Sequence, residues 1–216
     1  MRTEFLTLLT ALILLSFTGC ESAESKAITA IEELGGHFDG WDRLDMANTQ
    51  ITDAGLEHFK EFTKLQRIDL NSTPITDAGL EHLKGLTSLK VLQLANTKIG
   101  NAGLEHLKGL TNLDFLVLSN TQIDDVGLEH LKQLTSLRYL DLADTQTTDS
   151  GVQHLKGLNA LESLRLSNAK ITDASLGHLK GLTNLENLIL TNTQITAAGF
   201  EELQAALPEC NVLRSD

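Results

Sequence analysis

The sequence predicts a curved solenoid of the α/β class, with parallel strands on a concave face and short helices on a convex face. Glycine and histidine both recur every 24 residues, and leucines keep fixed offsets within each interval. No insertion or deletion interrupts seven consecutive copies, although Ser175 replaces one glycine. A period of roughly 20–29 residues is typical of stacked repeats that bury their cores against each other. The glycines are Gly55, Gly79, Gly103, Gly127, Gly151 and Gly199, and the histidines are His58, His82, His106, His130, His154 and His178.

One copy, residues 89–112, shows how each unit is built. Leu89, Leu92 and Leu94 give the pattern L-x-x-L-x-L, and the alternation across Leu92-Gln93-Leu94 predicts a short strand with one buried face. Leu104 lies three residues before Leu107, a spacing that places both on one side of a short helix. We expect Gly109 to end that helix as a left-handed C-cap.

A threonine–aspartate pair opens the predicted helix in the sister copies. A threonine hydroxyl is a good N-cap, and a carboxylate is favourable at the positive end of a helix. We therefore expect both side chains to serve the helix that they begin. The pairs are Thr52–Asp53, Thr76–Asp77, Thr148–Asp149 and Thr172–Asp173.

The repeat resembles the leucine-rich repeat family, and specifically bacterial arrays with the phrase T-x-I-T-D-A-G-L. That phrase stands at Thr49–Leu56 and Thr73–Leu80 and, less closely, at Thr193–Phe200. The resemblance implies a leucine-rich repeat solenoid, a right-handed coil whose concave face usually binds protein. The ladder position that often holds asparagine in the family is threonine here, and a threonine hydroxyl can still bond to backbone. Its members are Thr49, Thr73, Thr97, Thr121, Thr145 and Thr193, with Ala169 in the remaining copy.

The array needs a cover at each end because its terminal repeats have only one neighbour. An apolar stripe on residues 27–34, followed by Gly35–Gly36, predicts an N-terminal capping helix packed under the first strand, which is expected around Trp41. We divide the chain into a signal peptide (1–19), a lipid-anchor tether with this capping helix (20–40), seven repeats (41–208) and a C-terminal cap (209–216). Residues 210–213 are expected to add an edge strand.

The N-terminal segment indicates export. Residues 5–17 are apolar, and a helix of this length is about 20 Å long, too short for a hydrocarbon core of about 30 Å. The run ends in Phe17-Thr18-Gly19-Cys20, which resembles a bacterial lipobox, so we expect Cys20 to be lipidated and the protein to be anchored in the cell envelope. An ordinary secretory signal, giving a secreted or periplasmic protein with Cys20 incidental, is the alternative.

Composition narrows the possible partners. A net charge of −12, from 29 acidic and 17 basic residues, argues against binding to nucleic acid phosphates. It favours a basic protein or peptide, and we expect the protein itself to be a monomer.

We expect no catalytic, cofactor or metal site. The histidine column is predicted to pack between helices about 8–10 Å apart, whereas shared zinc ligation needs nitrogens about 2.0–2.1 Å from one ion. A metal or pH-sensing role for this column is the alternative. The chain has no P-loop, G-x-G-x-x-G, H-E-x-x-H or C-x-x-C motif, so enzymatic activity is not predicted.

The strand positions that do not repeat are the candidate site. Two positions on each strand face the concave side and vary from copy to copy, with aromatic residues at the centre and charged residues around them. We predict a protein-binding surface with exposed aromatic rings and a polar rim. Neutral drift, with the solenoid acting as a structural spacer in the envelope, is the alternative. The predicted site residues are Arg67, Asp69, Val91, Gln93, Phe115, Val117, Tyr139, Asp141 and Arg165.

Overall fold

A computed structural model of the protein describes residues 22–214. The predicted signal peptide and the predicted lipidation site Cys20 lie outside the described residues. Within residues 22–214, no helix is long and apolar enough to cross a membrane.

The described chain is built on one nine-stranded sheet whose strands follow each other in sequence order. Each strand from β2 to β9 pairs in parallel with its neighbour, and β1 runs antiparallel to β2. The predicted right-handed α/β solenoid is confirmed. The strands are β1 (His37–Phe38), β2 (Arg43–Asp45), β3 (Arg67–Asp69), β4 (Val91–Gln93), β5 (Phe115–Val117), β6 (Tyr139–Asp141), β7 (Ser163–Arg165), β8 (Asn187–Ile189) and β9 (Asn211–Leu213).

Short helices form the other side of the coil. Most central repeats combine a short α turn with an adjacent 3₁₀ turn, and the repeat at residues 101–105 has an α turn alone. The α-helices are α1 (Ala23–Glu33), α2 (Asp77–Leu80), α3 (Asn101–Glu105), α4 (Asp125–Leu128), α5 (Asp149–Val152), α6 (Leu176–Leu179) and α7 (Ala197–Ala206). The 3₁₀ turns are Gly55–Glu61, Glu81–Leu83, Glu129–Gln133, Gln153–Leu155 and Asp173–Ser175.

The core is a continuous stack of leucine and isoleucine columns between the sheet and the helices. The middle residue of each central strand, such as Leu92 or Leu116, is fully buried. Its register partners are the same residue type in the next repeats, because each strand aligns with the residue 24 positions further on. No repeat therefore has a core of its own, and each depends on its neighbours for burial.

Helix α1 covers the N-terminal end as predicted, but it does not cover Trp41. Ala27 and Ile31 are buried, and the helix ends in a Schellman motif with Gly35 in the left-handed region at φ 86°. Trp41 is 56% exposed and lies just before β2, the first of the repeat strands. At the other end, α7 stops before Pro208, and residues 211–213 form the predicted edge strand β9.

The left-handed residues other than glycine lie in the turns after the strands and not at the helix ends. Six of the seven precede a ladder threonine, whose hydroxyl donates to a backbone carbonyl three residues earlier at 2.6–2.7 Å, and Asn168 precedes Ala169. Asparagine and aspartate tolerate this backbone better than most residues. Gly109 does not have a positive φ, so its predicted role as a left-handed C-cap is wrong. The left-handed residues are Asn48, Ser72, Asn96, Asn120, Asp144, Asn168 and Asn192.

The helix-opening aspartates bind the next repeat, which the sequence did not predict. In four repeats the carboxylate accepts the backbone N–H of the following threonine at 2.7–2.9 Å and its hydroxyl at 2.6 Å. These bonds lower the pKa of Asp173, with the hydroxyl of Thr196 as the largest cause. The bridged pairs are Asp53–Thr76, Asp125–Thr148, Asp149–Thr172 and Asp173–Thr196. Of the four predicted threonine caps, only Thr148 and Thr172 accept a helix N–H.

Close approach of the aspartate explains the glycine column. A Cβ atom on Gly151 would collide with Oδ1 of Asp125, an atom already bonded to Thr148. Ser175 shows that a small side chain can fit, because Asp149 keeps both of its bonds to Thr172 there. Glycine is thus favoured at this position by space, not by a left-handed backbone.

We predict that Leu116→Ala lowers the free energy of unfolding by about 2–5 kcal/mol, because the leucine is 0% exposed and the rigid stack cannot close the cavity. Chemical denaturation measures the change. Val126→Ala is the matched control: Val126 is 64% exposed and four sister copies have alanine directly before the glycine, so little change is expected. A cost below about 1 kcal/mol for Leu116→Ala would contradict its burial.

Candidate binding surface

Two columns of side chains form the concave face of the sheet. Each strand contributes its first and third residues, and the register aligns these residues in rows across β2 to β9. The first column reads Arg43, Arg67, Val91, Phe115, Tyr139, Ser163, Asn187, Asn211. The second column reads Asp45, Asp69, Gln93, Val117, Asp141, Arg165, Ile189, Leu213. All nine predicted site residues lie in these two columns, so the structure brings them onto one surface.

The centre of the concave face is an aromatic stack. The rings of Phe115 and Tyr139 lie parallel, with centroids 4.1 Å apart and an interplanar angle of 6°. Both residues are half-buried, not exposed as predicted, because each ring covers one face of the other. Burial raises the pKa of Tyr139, the charge of Asp141 adds to the rise, and Arg165 opposes it.

Two of the predicted site residues are buried and do not face the solvent. Val117 and Asp141 lie below the surface of the second column, and Asp141 is 4% exposed. Adjacent strands are only about 4.8 Å apart, so neighbouring side chains of the concave face restrict the access of solvent to both residues. Asp141 accepts the N–H of Ala143 at 2.9 Å and lies 3.7 Å from a guanidinium nitrogen of Arg165. It therefore positions Arg165 and is not a rim residue.

Asp69 is also held by the protein itself. One carboxylate oxygen accepts the N–H of Asn71 at 3.0 Å, and the other accepts from the amide of Gln93 at 2.6 Å. Burial raises the pKa of Asp69, and the nearby carboxylate of Asp45 adds to the rise. Arg67, beside it in the first column, stays exposed.

The N-terminal end of the concave face holds a cleft that the sequence did not predict. Strand β1 pairs with β2 and forms one side of an open cleft with a volume of about 350 Å³. The cleft is lined by His37, Asp39, Arg43, Leu44, Asp45, Arg67 and Asp69. One sequence signal was available, since Phe38 stands 24 residues before Phe62, and leucine fills the same position in the next five copies. The two rings contact each other at 5.2 Å, so the repeat pattern begins before residue 41.

The C-terminal end of the concave face is apolar, which the sequence reading also missed. Ile189 is half-buried, and Leu213 beside it on β9 is 44% exposed. Leu213 lies beyond the seventh copy and thus in the predicted C-terminal cap. Its distance of 24 residues from Ile189 places it in the same column.

The convex side of the solenoid carries the histidine column, for which a metal or pH-sensing role is the alternative to packing. The six column histidines are half-buried, and no group of histidine, cysteine, aspartate or glutamate within residues 22–214 is arranged to hold a metal ion. Exposed glutamate–lysine pairs lie beside them at 2.9–3.2 Å, as in Glu57–Lys60. Burial raises the pKa of the Cys210 thiol.

Sequential parallel strands, a shared leucine core and one open sheet face define a repeat protein of the solenoid class. Leucine-rich repeat profiles match residues 87–147 and 135–195, together just over half of the chain, and residues 63–84. The chain belongs to the leucine-rich repeat family. No curated protein matched it in a sequence comparison.

Two solved structures from Listeria monocytogenes are similar to this chain. An internalin (inlF) superposes with a TM-score of 0.69 at 27% identity, over 81% of this chain and 47% of the internalin. An internalin C2 (inlC2) gives a TM-score of 0.65 at 26% identity, over 88% of this chain and 92% of the internalin. The chain thus spans about half the length of the first and nearly all of the second. The family and these neighbours support a protein-binding module, and the matches indicate no catalytic family.

We predict that Phe115→Ala lowers the pKa of Tyr139, because uncovering one ring face reduces the penalty on the phenolate. Tyr139 is the only tyrosine in the chain, so the tyrosinate absorbance reports on it alone during an alkaline titration. Arg165→Gln should shift the same pKa upward, because it removes a cation that favours the phenolate. An unchanged titration in Phe115→Ala would contradict the stacked geometry.

Proposed function

We propose that the protein is a non-enzymatic module that binds a protein or peptide with its concave sheet face at the bacterial cell envelope. The stacked pair of Phe115 and Tyr139 carries this proposal. These rings lie at the centre of the two columns that vary between repeats, while the helix phrase and the leucine columns stay nearly constant. Aromatic and arginine side chains are enriched in interface hot spots.

The central residues have separable roles in this proposal. The aromatic stack is ordered before binding, so burying its exposed edges costs little side-chain entropy. Arg67 and Arg165 have exposed guanidinium groups that orient the partner and set the association rate more than the affinity. Asp69 and Asp141 support the surface from below by holding Gln93 and Arg165. Val91 and Val117 complete the apolar floor around the stack.

The net charge of −12 favours a basic partner, because long-range attraction raises the rate of encounter. The proposed binding unit is a monomer, since a single chain supplies the whole concave face.

The envelope location rests on the N-terminal segment. In this proposal Cys20 is lipidated, and helix α1 begins at Ala23, so the tether between the lipid and the solenoid is only a few residues long. Such a tether would hold the concave face close to the membrane. The similarity to internalins supports a surface or secreted protein, and secretion without a lipid is the alternative.

We predict that Phe115→Ala combined with Tyr139→Ala weakens binding by at least about 2 kcal/mol, the usual size of a hot-spot effect. The partner is first captured from envelope extract and identified, and its affinity for each purified variant is then measured by calorimetry.

The control is Glu81→Ala combined with Glu105→Ala on the convex helices, where each glutamate pairs only with an exposed lysine. The control should keep wild-type affinity. Equal losses from both double variants, or a loss only in the control, would place the binding site elsewhere. If no partner is captured from the extract, or if the Phe115→Ala and Tyr139→Ala variant binds as tightly as the wild type, the structural spacer is favoured.

We predict that Cys20→Ser abolishes metabolic labelling with a fatty acid and moves the protein to the soluble envelope fraction. The physical reason is that no helix within residues 22–214 can span the membrane, so the proposed lipid is the anchor. Fractionation with and without detergent measures the change, with Cys210→Ser as the matched control. Membrane retention of Cys20→Ser would refute the lipid anchor.

A further inference from the structure

The cleft at the N-terminal end of the concave face contains two arginines with unused hydrogen-bond donors. Arg43 and Arg67 are register partners on β2 and β3, so their like charges lie side by side. Like charges directly opposite each other on neighbouring strands are unfavourable. Within residues 22–214 the Arg67 side chain makes no hydrogen bond or salt bridge, although its charge opposes the rise in the pKa of Asp69. Arg43 reaches only Asp39, at 3.8 Å. That distance is too long for a hydrogen bond.

The acidic residues of the cleft do not supply the missing acceptors. The carboxylate oxygens of Asp69 accept from Asn71 and Gln93, and neither bonds to an arginine. Asp45 uses one oxygen to accept the N–H of Ala47 at 2.9 Å. The side chain of Asp39 is mostly in solvent. The guanidinium donors of Arg43 and Arg67 are therefore not hydrogen-bonded to these carboxylates, although the cleft has three aspartates and two arginines.

We propose that this cleft binds a carboxylate group of the partner, the side chain of an aspartate or glutamate, between Arg43 and Arg67. The planar guanidinium fork matches a carboxylate with two parallel hydrogen bonds, and an anion between the two arginines relieves their repulsion. His37, on the exposed side of β1, borders the same space. The inference rests on the proposed function, because it assigns a second contact on the same concave face.

The spacing of the strands predicts where the carboxylate lies in the partner. The arginine pair on β2 and β3 is three strand intervals from the aromatic pair on β5 and β6. At about 4.8 Å per interval the separation is about 14 Å, which an extended peptide covers in about four residues. The partner segment is thus expected to carry an acidic residue about four positions from an apolar residue. Its overall charge can still be basic, since the cleft contacts only one group.

The first test uses a carboxylate probe and the arginine side-chain NMR signals of the purified full chain. The chain has six arginines, so the Nε–Hε spectrum is simple. N-acetyl-glutamate amide should shift the signals of Arg43 and Arg67 with one common saturation curve, and N-acetyl-glutamine amide should not. Arg138, which is held by Glu162, is the internal reference. The absence of saturable shifts, equal shifts with both probes, or a stronger response to inorganic phosphate would overturn the proposal.

The second test joins both contacts in one defined peptide, Ac-Glu-Ser-Gly-Ser-Phe-NH2, and compares it with the glutamine version. The glutamate peptide should bind about tenfold more tightly, and Arg43→Gln with Arg67→Gln should remove that difference. Arg138→Gln, a matched loss of one exposed arginine, should leave the difference intact. Binding no tighter than that of N-acetyl-glutamate amide would contradict the four-residue spacing.

The two proposals fail in different ways in this assay. If Phe115→Ala with Tyr139→Ala weakens both peptides while glutamate and glutamine bind equally, the carboxylate site is wrong and the concave binding face stands. If the arginine variants alone weaken binding and the aromatic variants do not, the aromatic centre is wrong and the carboxylate site stands.

Discussion

The register of the parallel strands, in which every residue aligns with the residue 24 positions further on, determines the position of every side chain in the repeats. It makes each position in the repeat a straight row across the molecule. The leucine rows are buried because each leucine packs between two copies of itself, and no repeat can bury its core alone. The curvature has the same origin, since the strands are about 4.8 Å apart whereas packed helices need about 8–10 Å.

A second row of bonds connects the repeats next to their helices. The bridging aspartates bind the backbone and hydroxyl of the threonine 23 residues further on, and the glycine column leaves space for them. One exception shows how specific this contact is. Where Asp124 replaces the threonine, Asn101 replaces the aspartate, and its amide donates to Asp124 at 2.7 Å. Two carboxylates at this distance would repel, so the two substitutions compensate for each other.

The concave face is the part of the repeat that these contacts leave free to vary, but its side chains are not independent. Because neighbouring strands are close, side chains pair with the residue 24 positions away: Phe115 stacks on Tyr139, and Gln93 donates to Asp69. Such pairs order the surface before any partner arrives, which lowers the entropic cost of binding. Arg43 and Arg67 differ from the other neighbours because two cations cannot satisfy each other. The N-terminal cleft therefore differs from the centre of the concave face, where neighbouring side chains bond to or stack on each other.

The sequence by itself determined the solenoid, the buried leucine columns, the edge strand at Val212 and the set of residues on the concave face. These features depend only on the period of 24 and on the alternation of side chains along a strand. The tertiary structure decided the burial of Asp141, the stacking of Phe115 on Tyr139 and the role of Asp125 as a bridge to the next repeat. Each of these features depends on which side chains of neighbouring repeats lie within a few ångströms of each other and compete for the same space or hydrogen bond. The order of residues along the sequence does not give those distances. The ends of the solenoid were the least predictable parts of the fold. Trp41 and β1 lie at the N-terminal end, where only one neighbouring repeat determines how they pack.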